Sequence, residues 1–477
     1  MANQDKRILT GRLLSRRRLL TAAGVGAAGV SAARLGLASV PIDVLGGARK
    51  TRDELGEQDA ALRDAYFPPP EQDGGWRVTG PDDLGVDAGR LGEAIAYHDT
   101  SPVTTSLGGA LIILYKGHII GESYVTGTEG GPQPWTPRTC NDIKSSTKSV
   151  FGTAVGVFLD EYGDRVNLDT YLVGTSRQDS LIPQIWDQPL TDERKTRIKV
   201  KHVLAMTSGH KGREPWLAPS TRHLYPGYSG PYQMYEYCFG WWRFDGIASH
   251  HRLKFEPGAD FNYSNYGVEQ LALAMRNMSG EEVGPYVYDR VLGHIGMPIG
   301  VRDNQYRDMP YADDRELNFS AEPGWGRGGS SGCDAYGADG SESPYGYNSV
   351  VGSSFRCNAR DFARLAYLWL NEGRWGSRQL VPSEWMKLAT RRFVRDNGET
   401  PNDYGYTFWI RDEVDAVPAD MFMSRGHNQN HSYVIPSLDL VVVRQGNDDR
   451  RQVDDQGQFS TVLIQKIVAA IPESARG

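Results

Sequence analysis

The chain has 477 residues, with 39% hydrophobic and 10% aromatic residues and only four cysteines, so it can bury a large core without disulfides or structural metals. Its formal charge of −7 is unevenly spread, because residues 1–38 hold seven Lys or Arg against the single acid Asp5. The acidic remainder would be repelled by phosphate backbones and anionic lipid heads, which argues against nucleic-acid or membrane-surface binding as its main work. Small neutral or amphiphilic substrates suit this charge balance better.

The N-terminus is typical of a targeting segment. Residues 15–20, Ser-Arg-Arg-Arg-Leu-Leu, lead into an Ala- and Gly-rich apolar run that ends near Ala33. The pattern resembles a twin-arginine export signal. A membrane anchor is the alternative, but a spanning helix needs about 20 strongly apolar residues and this run is shorter and interrupted by glycines. We therefore expect residues 1–38 to be an export signal and the mature protein to be periplasmic or extracellular.

Strand patterns lie at both ends of the remaining chain. Residues 39–79 are predicted to form a linker or N-terminal extension, because they are polar and mixed and include three consecutive prolines at 68–70. From Gly108 to Tyr124, two apolar runs flank Lys116-Gly117, which predicts a β-hairpin. Matching strand patterns near the other end are residues 404–410, 432–435 and 438–443.

Helical patterns fill the region between these ends. They include residues 145–162 and 361–371, each followed by a glycine that favours a helix end. We therefore predict an α/β fold over residues 80–477, with an antiparallel sheet built from both chain ends, flanking helices, and an all-helical subdomain inserted at about 145–400. The active site is expected in the cleft between sheet and subdomain. Residues 302–347, rich in Gly, Asp, Ser and Tyr, are either a lid or a surface loop.

The cysteines give no metal or redox motif. They show no C-x-x-C spacing, so neither a zinc site nor a dithiol pair is indicated. In an oxidising compartment one or two disulfides can form, and the sequence leaves their pairing open. The four residues are Cys140, Cys238, Cys333 and Cys357.

Ser145 and Lys148 form the sharpest chemical motif, because residues three apart on a helix share one face. Lysine can accept the serine proton only as a neutral amine, which burial favours. The apolar run from Val150 to Phe158 predicts a buried helix, and a helix start directs free N–H groups toward an oxyanion. A chance occurrence is the alternative in a chain rich in Ser and Lys. Ser146 is a local rival, but Ser149 rather than lysine lies three residues beyond it.

Tyr263 and Asn265 form a second motif, directly before the helical pattern from Gly267 to Met275. A tyrosine near a lysine can act as base toward the nucleophile and as acid toward the leaving group. An amide two residues later can hydrogen-bond the serine or the lysine. The chain holds 24 tyrosines, so an ordinary turn before a helix is the alternative.

Residues 425–430, Arg-Gly-His-Asn-Gln-Asn, form a third motif before an apolar strand pattern. A backbone N–H at this strand edge can complete an oxyanion hole opposite the N–H of Ser145. His427 can supply a polarising charge or accept a proton from Tyr263. A solvated polar turn is the alternative interpretation.

The order of these three motifs resembles the serine β-lactamase, DD-peptidase and esterase superfamily. The strongest similarity is to the class C-like branch that includes family VIII carboxylesterases and 6-aminohexanoate-dimer hydrolases. Supporting stretches are Thr-Ser-Gly at 207–209, Phe-Glu-Pro-Gly at 255–258, and residues 361–365 followed by 373–376. The similarity extends over roughly residues 80–470.

The resemblance implies a role for each matching residue. Ser145 would be the nucleophile, Lys148 its activating amine, and Tyr263 the general base and acid. Asn265 would be an orienting amide, and His427 falls where the family often has Lys or His. Residues expected to contact substrate are Asn430 and Trp325.

The sequence departs from the family pattern at Asn428 and Gln429, where a small residue and then glycine are usual. Glycine there lets the substrate backbone approach the strand closely. Its absence weakens the case for β-lactams, whose carboxylate the family commonly meets with a Lys-Thr/Ser-Gly triplet. Arg425 is a candidate substitute for that contact.

The predicted chemistry is two-step acyl transfer without a metal or organic cofactor: Ser145 attacks an ester or amide carbonyl, backbone N–H groups hold the oxyanion, and water hydrolyses the acyl-enzyme. The leading function is an exported carboxylesterase or linear-amide hydrolase acting on small ester, amide or peptide-like molecules. A β-lactamase or D-alanyl-D-alanine carboxypeptidase, and a penicillin-binding sensor that acylates without turnover, are the alternatives. No nucleic-acid partner is expected, nor a membrane partner after signal cleavage, and the oligomeric state stays open.

Overall fold

The structure is a computed structural model, and it describes residues 66–128, 134–139, 141–187, 189–210, 252–281, 283–297, 351–352, 355–395, 397–400, 402–411, 414–447, 459–472 and 474. The predicted export signal, Trp325 and the segment 302–347 lie outside these residues. Across the described ranges, no helix has the length and apolar character needed to cross a bilayer.

A six-stranded antiparallel sheet forms the centre of the fold. The described residues form ten strands, of which six belong to this sheet and four to two separate pairs. They are β1 (Gly109–Tyr115), β2 (His118–Val125), β3 (Asn141–Asp142), β4 (Arg356–Cys357), β5 (Arg374–Trp375), β6 (Arg378–Gln379), β7 (Trp409–Ile410), β8 (Phe422–Gly426), β9 (Asn430–Ile435) and β10 (Leu440–Gly446). The sheet order is β2-β1-β10-β9-β8-β7, whereas β3 pairs with β4 and β5 with β6. Strands β1 and β10 come from opposite chain ends and lie side by side, so the predicted sheet is confirmed.

Both faces of this sheet are covered by helices. In β1, Leu111 and Ile113 belong to one apolar cluster and Ala110 and Ile112 to the other, as the two-residue period of a strand requires. Because neither face meets water, β1 reads as a continuous apolar run rather than an alternating one. The helices are α1 (Ala88–Thr100), α2 (Pro102–Thr105), α3 (Thr147–Glu161), α4 (Val200–Leu204), α5 (Asn265–Ser279), α6 (Val283–Val287), α7 (Ala359–Leu370), α8 (Ser383–Ala389) and α9 (Phe459–Ala470).

Helices α1 and α9 pack together over one face of the sheet, and α7 contacts β1, β9 and β10 on the other. Helix α3 is joined to α7 by a hydrogen bond from the Trp369 indole to Thr153 at 2.8 Å, and it is buried from Thr147 to Phe158. Close packing of α3 depends on glycine, because the indole of Trp385 lies against Gly156 and donates to the Gly152 carbonyl at 3.0 Å. This burial holds the N-terminus of α3 at the sheet edge, where the chemical motifs meet.

The segment that precedes α1 lies against α7. The guanidinium of Arg364 is buried and donates to the carbonyls of Pro68 at 3.0 Å and Pro69 at 2.6 Å. It also pairs with Glu71 at 2.8 Å. A buried guanidinium is tolerated when it is paired with a carboxylate and hydrogen-bonded, and here both terminal nitrogens of Arg364 have such partners. These contacts attach residues 68–71 to helix α7.

Candidate active site

The nucleophile motif lies at the start of the buried helix. Ser145 is in the 3-10 turn Lys144–Ser146, and Lys148 is in the first turn of α3. Lys148 Nζ lies 3.4 Å from Ser145 Oγ and 2.5 Å from the Gly352 carbonyl oxygen. Lys148 is only 1% exposed, so its amine is withdrawn from water and held between the hydroxyl and a backbone acceptor. Ser145 itself is half-buried and faces the cleft.

Ser146, next to Ser145, has a structural role. Ser146 is fully buried, and its hydroxyl donates to the carbonyl of Asn430 at 2.7 Å. This bond joins the start of α3 to β9. Lys144, at φ 53°, lies in the left-handed region, where its backbone N–H and its amine both bind Asp142, at 2.7 and 2.8 Å. These bonds hold the turn that presents Ser145.

Tyr263 meets Lys148 through its ring. The amine lies 4.7 Å from the ring centroid, a cation–π distance. The ring also stacks on Trp409, with centroids 5.9 Å apart and planes at 18°, and meets the edge of Tyr404 at 6.3 Å. Within the described residues, no hydrogen bond joins the phenol oxygen to Ser145 or Lys148. Proton transfer through Tyr263 would therefore require its hydroxyl to move toward Ser145 and Lys148. Such movement is common, because catalytic hydrogen bonds are often long before substrate binds.

The second tyrosine of this cluster is a structural partner. Burial, and then the neighbouring Tyr263, raise the pKa of Tyr404 well above its ordinary value. Tyr404 therefore stays a neutral phenol, whereas Tyr263 is only half-buried and lines the cleft.

Asn265 is the first residue of α5, and Ser264 caps the helix by accepting the N–H of Tyr266 at 3.2 Å. A Cβ added to Gly352 would lie 3.1 Å from Asn265 Cγ. The Asn265 amide therefore packs against the residue whose carbonyl accepts from Lys148. Its Oδ1 is buried and has no partner among the described residues.

The third motif forms a tight turn between β8 and β9. His427 is exposed at the cleft mouth, and Asn428 and Gln429 have φ values of 59° and 62°. Arg444, 1% exposed, donates to the Asn428 carbonyl at 2.8 Å and to that of Gln429 at 3.4 Å. The buried Arg444 guanidinium therefore stabilises this turn, in which Asn428 and Gln429 adopt positive φ without a glycine.

Asn430 lies at the end of this turn and points into the protein. Its Oδ1 accepts from Asn141 at 3.0 Å and from the N–H of Gly446 at 3.1 Å, and its Nδ2 donates to the His427 carbonyl at 2.8 Å. The side chain is fully buried and is not part of the cleft lining. The structure thus brings Ser145, Lys148 and Tyr263 together, whereas Asn430, which was expected to contact substrate, makes hydrogen bonds inside the protein.

The cleft has a volume of about 180 Å³. His431 forms part of its floor as a neutral imidazole, because burial, and then the charges of Arg425 and Arg444, hold its pKa well below the ordinary value. The guanidinium of Arg425 is exposed, 5.7 Å from the centroid of the Trp409 ring. The lining residues are Ser145, Tyr263, Trp409, Arg425, Gly426, His427, Asn428, Gln429 and His431. In the described part of the chain, no group of three His, Cys, Asp or Glu side chains is arranged to hold a metal ion.

Several site residues were missed by sequence reasoning. For Trp409 the sequence predicts only a strand. Gly352 carries no sequence signal, because it reaches the site through its backbone carbonyl from a distant segment. Glu269 had a usable signal, since it interrupts the apolar face of the run that follows Asn265 and is nevertheless 2% exposed. A charged residue at a core position of a helix usually has a specific partner.

A serine at the N-terminus of a buried helix, with a buried lysine one turn on and an antiparallel sheet beside it, defines the class of serine β-lactamases and penicillin-binding proteins. The Beta-lactamase family profile matches residues 101–464. The chain therefore belongs to the β-lactamase family, and the predicted resemblance is confirmed. Membership implies a hydrolase.

Solved structures with low sequence identity share the fold. A candidate β-lactamase from Bacteroides dorei DSM 17855 is 15% identical, with a TM-score of 0.53 over 81% of this chain and 99% of the other. A candidate 6-aminohexanoate-dimer hydrolase from Bacillus anthracis is 16% identical, with a TM-score of 0.51 over 84% and 89%. A penicillin-binding protein homologue from Caulobacter crescentus is 17% identical, with a TM-score of 0.51 over 81% and 99%. No curated protein matches the sequence.

Proposed function

We propose that this protein is a serine hydrolase that cleaves ester or linear amide bonds through an acyl-enzyme on Ser145. One observation carries the proposal: Ser145 Oγ faces the cleft and lies 3.4 Å from the buried amine of Lys148. A hydroxyl is a weak nucleophile unless a neighbouring base takes its proton. The Lys148 amine lies at the distance from which a base can take that proton.

The proposed reaction has two steps. Lys148 takes the Ser145 proton as Oγ attacks the carbonyl carbon, and the oxyanion is held by the N–H of Ser145 and a backbone N–H of the 427–429 turn. The proton taken by Lys148 then passes through Tyr263 to the leaving alcohol or amine as the carbon–oxygen or carbon–nitrogen bond breaks, so both side chains return to their starting states. Water attacks the acyl-enzyme and regenerates the serine. The helix start at Thr147 supports this assignment, because its positive dipole end favours the developing anion.

The cleft supports an ester or linear amide rather than a bicyclic lactam. Gln429 lines the cleft at the position where the family usually has glycine, so the family's usual β-lactam motif is incomplete here. The wall of Tyr263 and Trp409 offers apolar ring surface to a flat or linear acyl group. The B. anthracis structure carries the name of a candidate 6-aminohexanoate-dimer hydrolase, which is in keeping with the proposal.

A substrate panel tests the proposal. We expect p-nitrophenyl butyrate to be turned over continuously, with nitrocefin hydrolysed far more slowly or not at all. Steady nitrocefin turnover would favour a β-lactamase, and a single stoichiometric burst without turnover would favour a penicillin-binding sensor. Ser145→Ala should remove all of these signals. Ser149→Ala is the matched control, because that buried hydroxyl binds the Thr407 carbonyl at 2.7 Å and should be dispensable for turnover.

We also propose that the twin-arginine segment exports the protein to the periplasm or the cell exterior. The motif at residues 15–20 and the weakly apolar run after it support this localisation. Lysine at positions 16, 17 and 18 should leave an unprocessed precursor in the cytoplasm. A processed product outside the cytoplasm in that variant would contradict the proposed route.

A further inference from the structure

Glu269 is a buried carboxyl beside the active site that the acyl-transfer steps above do not use. It lies on α5, one turn after Asn265, and is 2% exposed. Its Oε1 accepts the backbone N–H of Gly352 at 2.7 Å, and the N–H of Val351 donates to the same carboxyl. One carboxyl therefore binds two successive N–H groups of the segment 351–352.

Gly352 connects this carboxyl to the catalytic amine. Its N–H is held by Glu269, and its carbonyl accepts from Lys148 at 2.5 Å. A Cβ at position 352 would lie 3.0 Å from Glu269 Oε1 and 3.1 Å from Asn265 Cγ, so the segment is pressed directly against α5. The position of the carbonyl that Lys148 binds is thus set by the carboxyl of Glu269.

The two side chains are also linked by charge. Within the described residues, Lys148 is the side chain that interacts electrostatically with Glu269. Burial raises the pKa of Glu269 to about 7, and the two backbone N–H groups and Lys148 oppose that rise. The carboxyl therefore changes its charge within the pH range in which hydrolases commonly work. A protonated carboxyl is a poorer acceptor for two N–H groups, because one oxygen then carries a hydrogen itself.

We propose that Glu269 is a positioning residue for acylation: its carboxylate holds the segment 351–352 and thereby keeps the Gly352 carbonyl where it orients Lys148 toward Ser145. This inference rests on the proposed function. In this role Glu269 contacts neither the substrate nor Ser145 and acts on Lys148 through the backbone of Gly352.

Glu269→Gln tests the proposal through pH dependence, because the amide resembles the protonated carboxyl at every pH. The rate of the p-nitrophenol burst is measured for the parent and for E269Q from about pH 5.5 to about pH 8.5. The ratio of parent to variant should be near one at the acid end. It should grow to about tenfold at the alkaline end, as expected from weakening one hydrogen bond to a charged group. A ratio that is constant with pH, or no loss of rate, overturns the proposal.

Asp361→Asn is the matched control. Asp361 is also 2% exposed with a pKa raised to about 7 by burial, but it binds Asn358 at the start of α7. The ratio of parent to D361N should stay near one throughout. Glu269→Asp keeps the charge, so its burst rate should retain the rise through about pH 7 that E269Q loses, and it carries the test if E269Q folds poorly. A flat E269D profile contradicts the proposal.

Ser145→Ala separates the two hypotheses. If Ser145→Ala still releases p-nitrophenol in a burst, the proposed function fails whatever Glu269 does. If Ser145→Ala is inert and the E269Q ratio is constant with pH, the function stands and the positioning role of Glu269 is refuted.

Discussion

Gln429 adopts, at φ 62°, a backbone conformation that glycine enters most easily. Its neighbour Asn428 is in the same region at φ 59°, where asparagine is tolerated better than most residues. The turn is held by the Arg444 guanidinium through two carbonyls and by a hydrogen bond between the Gln429 side chain and Ser460. The turn is therefore kept in place by hydrogen bonds to Arg444 and Ser460 and not by a glycine.

A pair of substitutions at position 429 isolates the backbone contribution. Both Gln429→Gly and Gln429→Val lose the Ser460 bond, but valine is β-branched and strongly disfavours positive φ. We expect the glycine variant to lie within about 1 kcal/mol of the parent in unfolding free energy, and the valine variant to be about 2 kcal/mol less stable with lower kcat/KM. Urea denaturation measures the difference. Equal stability of the two variants would show that the turn carries no strain.

Helix α3 is the element on which the site depends, since its first turn carries Lys148 and the preceding turn carries Ser145. The helix enters the core because glycine at 152 and 156 leaves room for Thr407 and Trp385. Interiors are packed densely enough that one added methyl group must displace a neighbour. The positions of Ser145 and Lys148 are therefore coupled to Trp385 and Thr407, more than 200 residues further along the chain.

Gly152→Ala should displace Thr407, because the new methyl group would overlap its hydroxyl. We expect a loss of about 1–3 kcal/mol in unfolding free energy and a fall in kcat, as α3 shifts. Gly92→Ala is the control: Gly92 is exposed on α1 and its Cβ would have no neighbour within 4 Å. That variant should gain about 0.5–1 kcal/mol from helix propensity and keep full activity. A gain in stability for G152A would contradict the packing argument.

Buried ionisable groups couple the stability of the whole molecule to pH. Burial raises the pKa of Asp361 to about 7, so the folded protein keeps a proton that the unfolded chain releases near its ordinary carboxyl value. The folded state then binds more protons between these two values, and this contribution to stability is lost as pH rises through about 7. Burial lowers the pKa of His210 to about 3, so its contribution has the opposite sign and is lost as pH falls below the ordinary histidine value.

Asp361→Asn separates the carboxyl from the other titrating groups. The asparagine variant has no proton to lose, so its stability relative to the parent should increase from pH 5 to pH 8. The increase is about 1.4 kcal/mol for each pH unit between the two pKa values of the group, and a few kcal/mol in total. Guanidinium denaturation at both pH values measures it. A stability difference that does not change with pH would show that Asp361 is ionised in the folded protein at pH 5.

The sequence alone determined the class of fold and the three motifs. Alternation, turn residues and helix ends are local properties, so the β1–β2 hairpin, the C-terminal strands and the helix after Ser145 could be read from neighbouring residues. The order of the motifs then indicated the family, and the family profile confirms it. The catalytic roles of Ser145, Lys148 and Tyr263 stay predictions that the geometry supports.

The side chains that surround those motifs could be identified only from the folded chain. Trp409 and Gly352 come from segments more than 80 residues away from Tyr263 and Lys148, which they contact. Arg444 lies only 16 residues from Asn428 but binds its backbone carbonyl, a group that every residue type possesses. For Asn430, too, the folded chain shows that the side-chain amide makes hydrogen bonds inside the protein and does not line the cleft. Long-range packing and hydrogen-bond partners arise from the folded chain as a whole, because no local pattern encodes which distant carbonyl a buried donor will find.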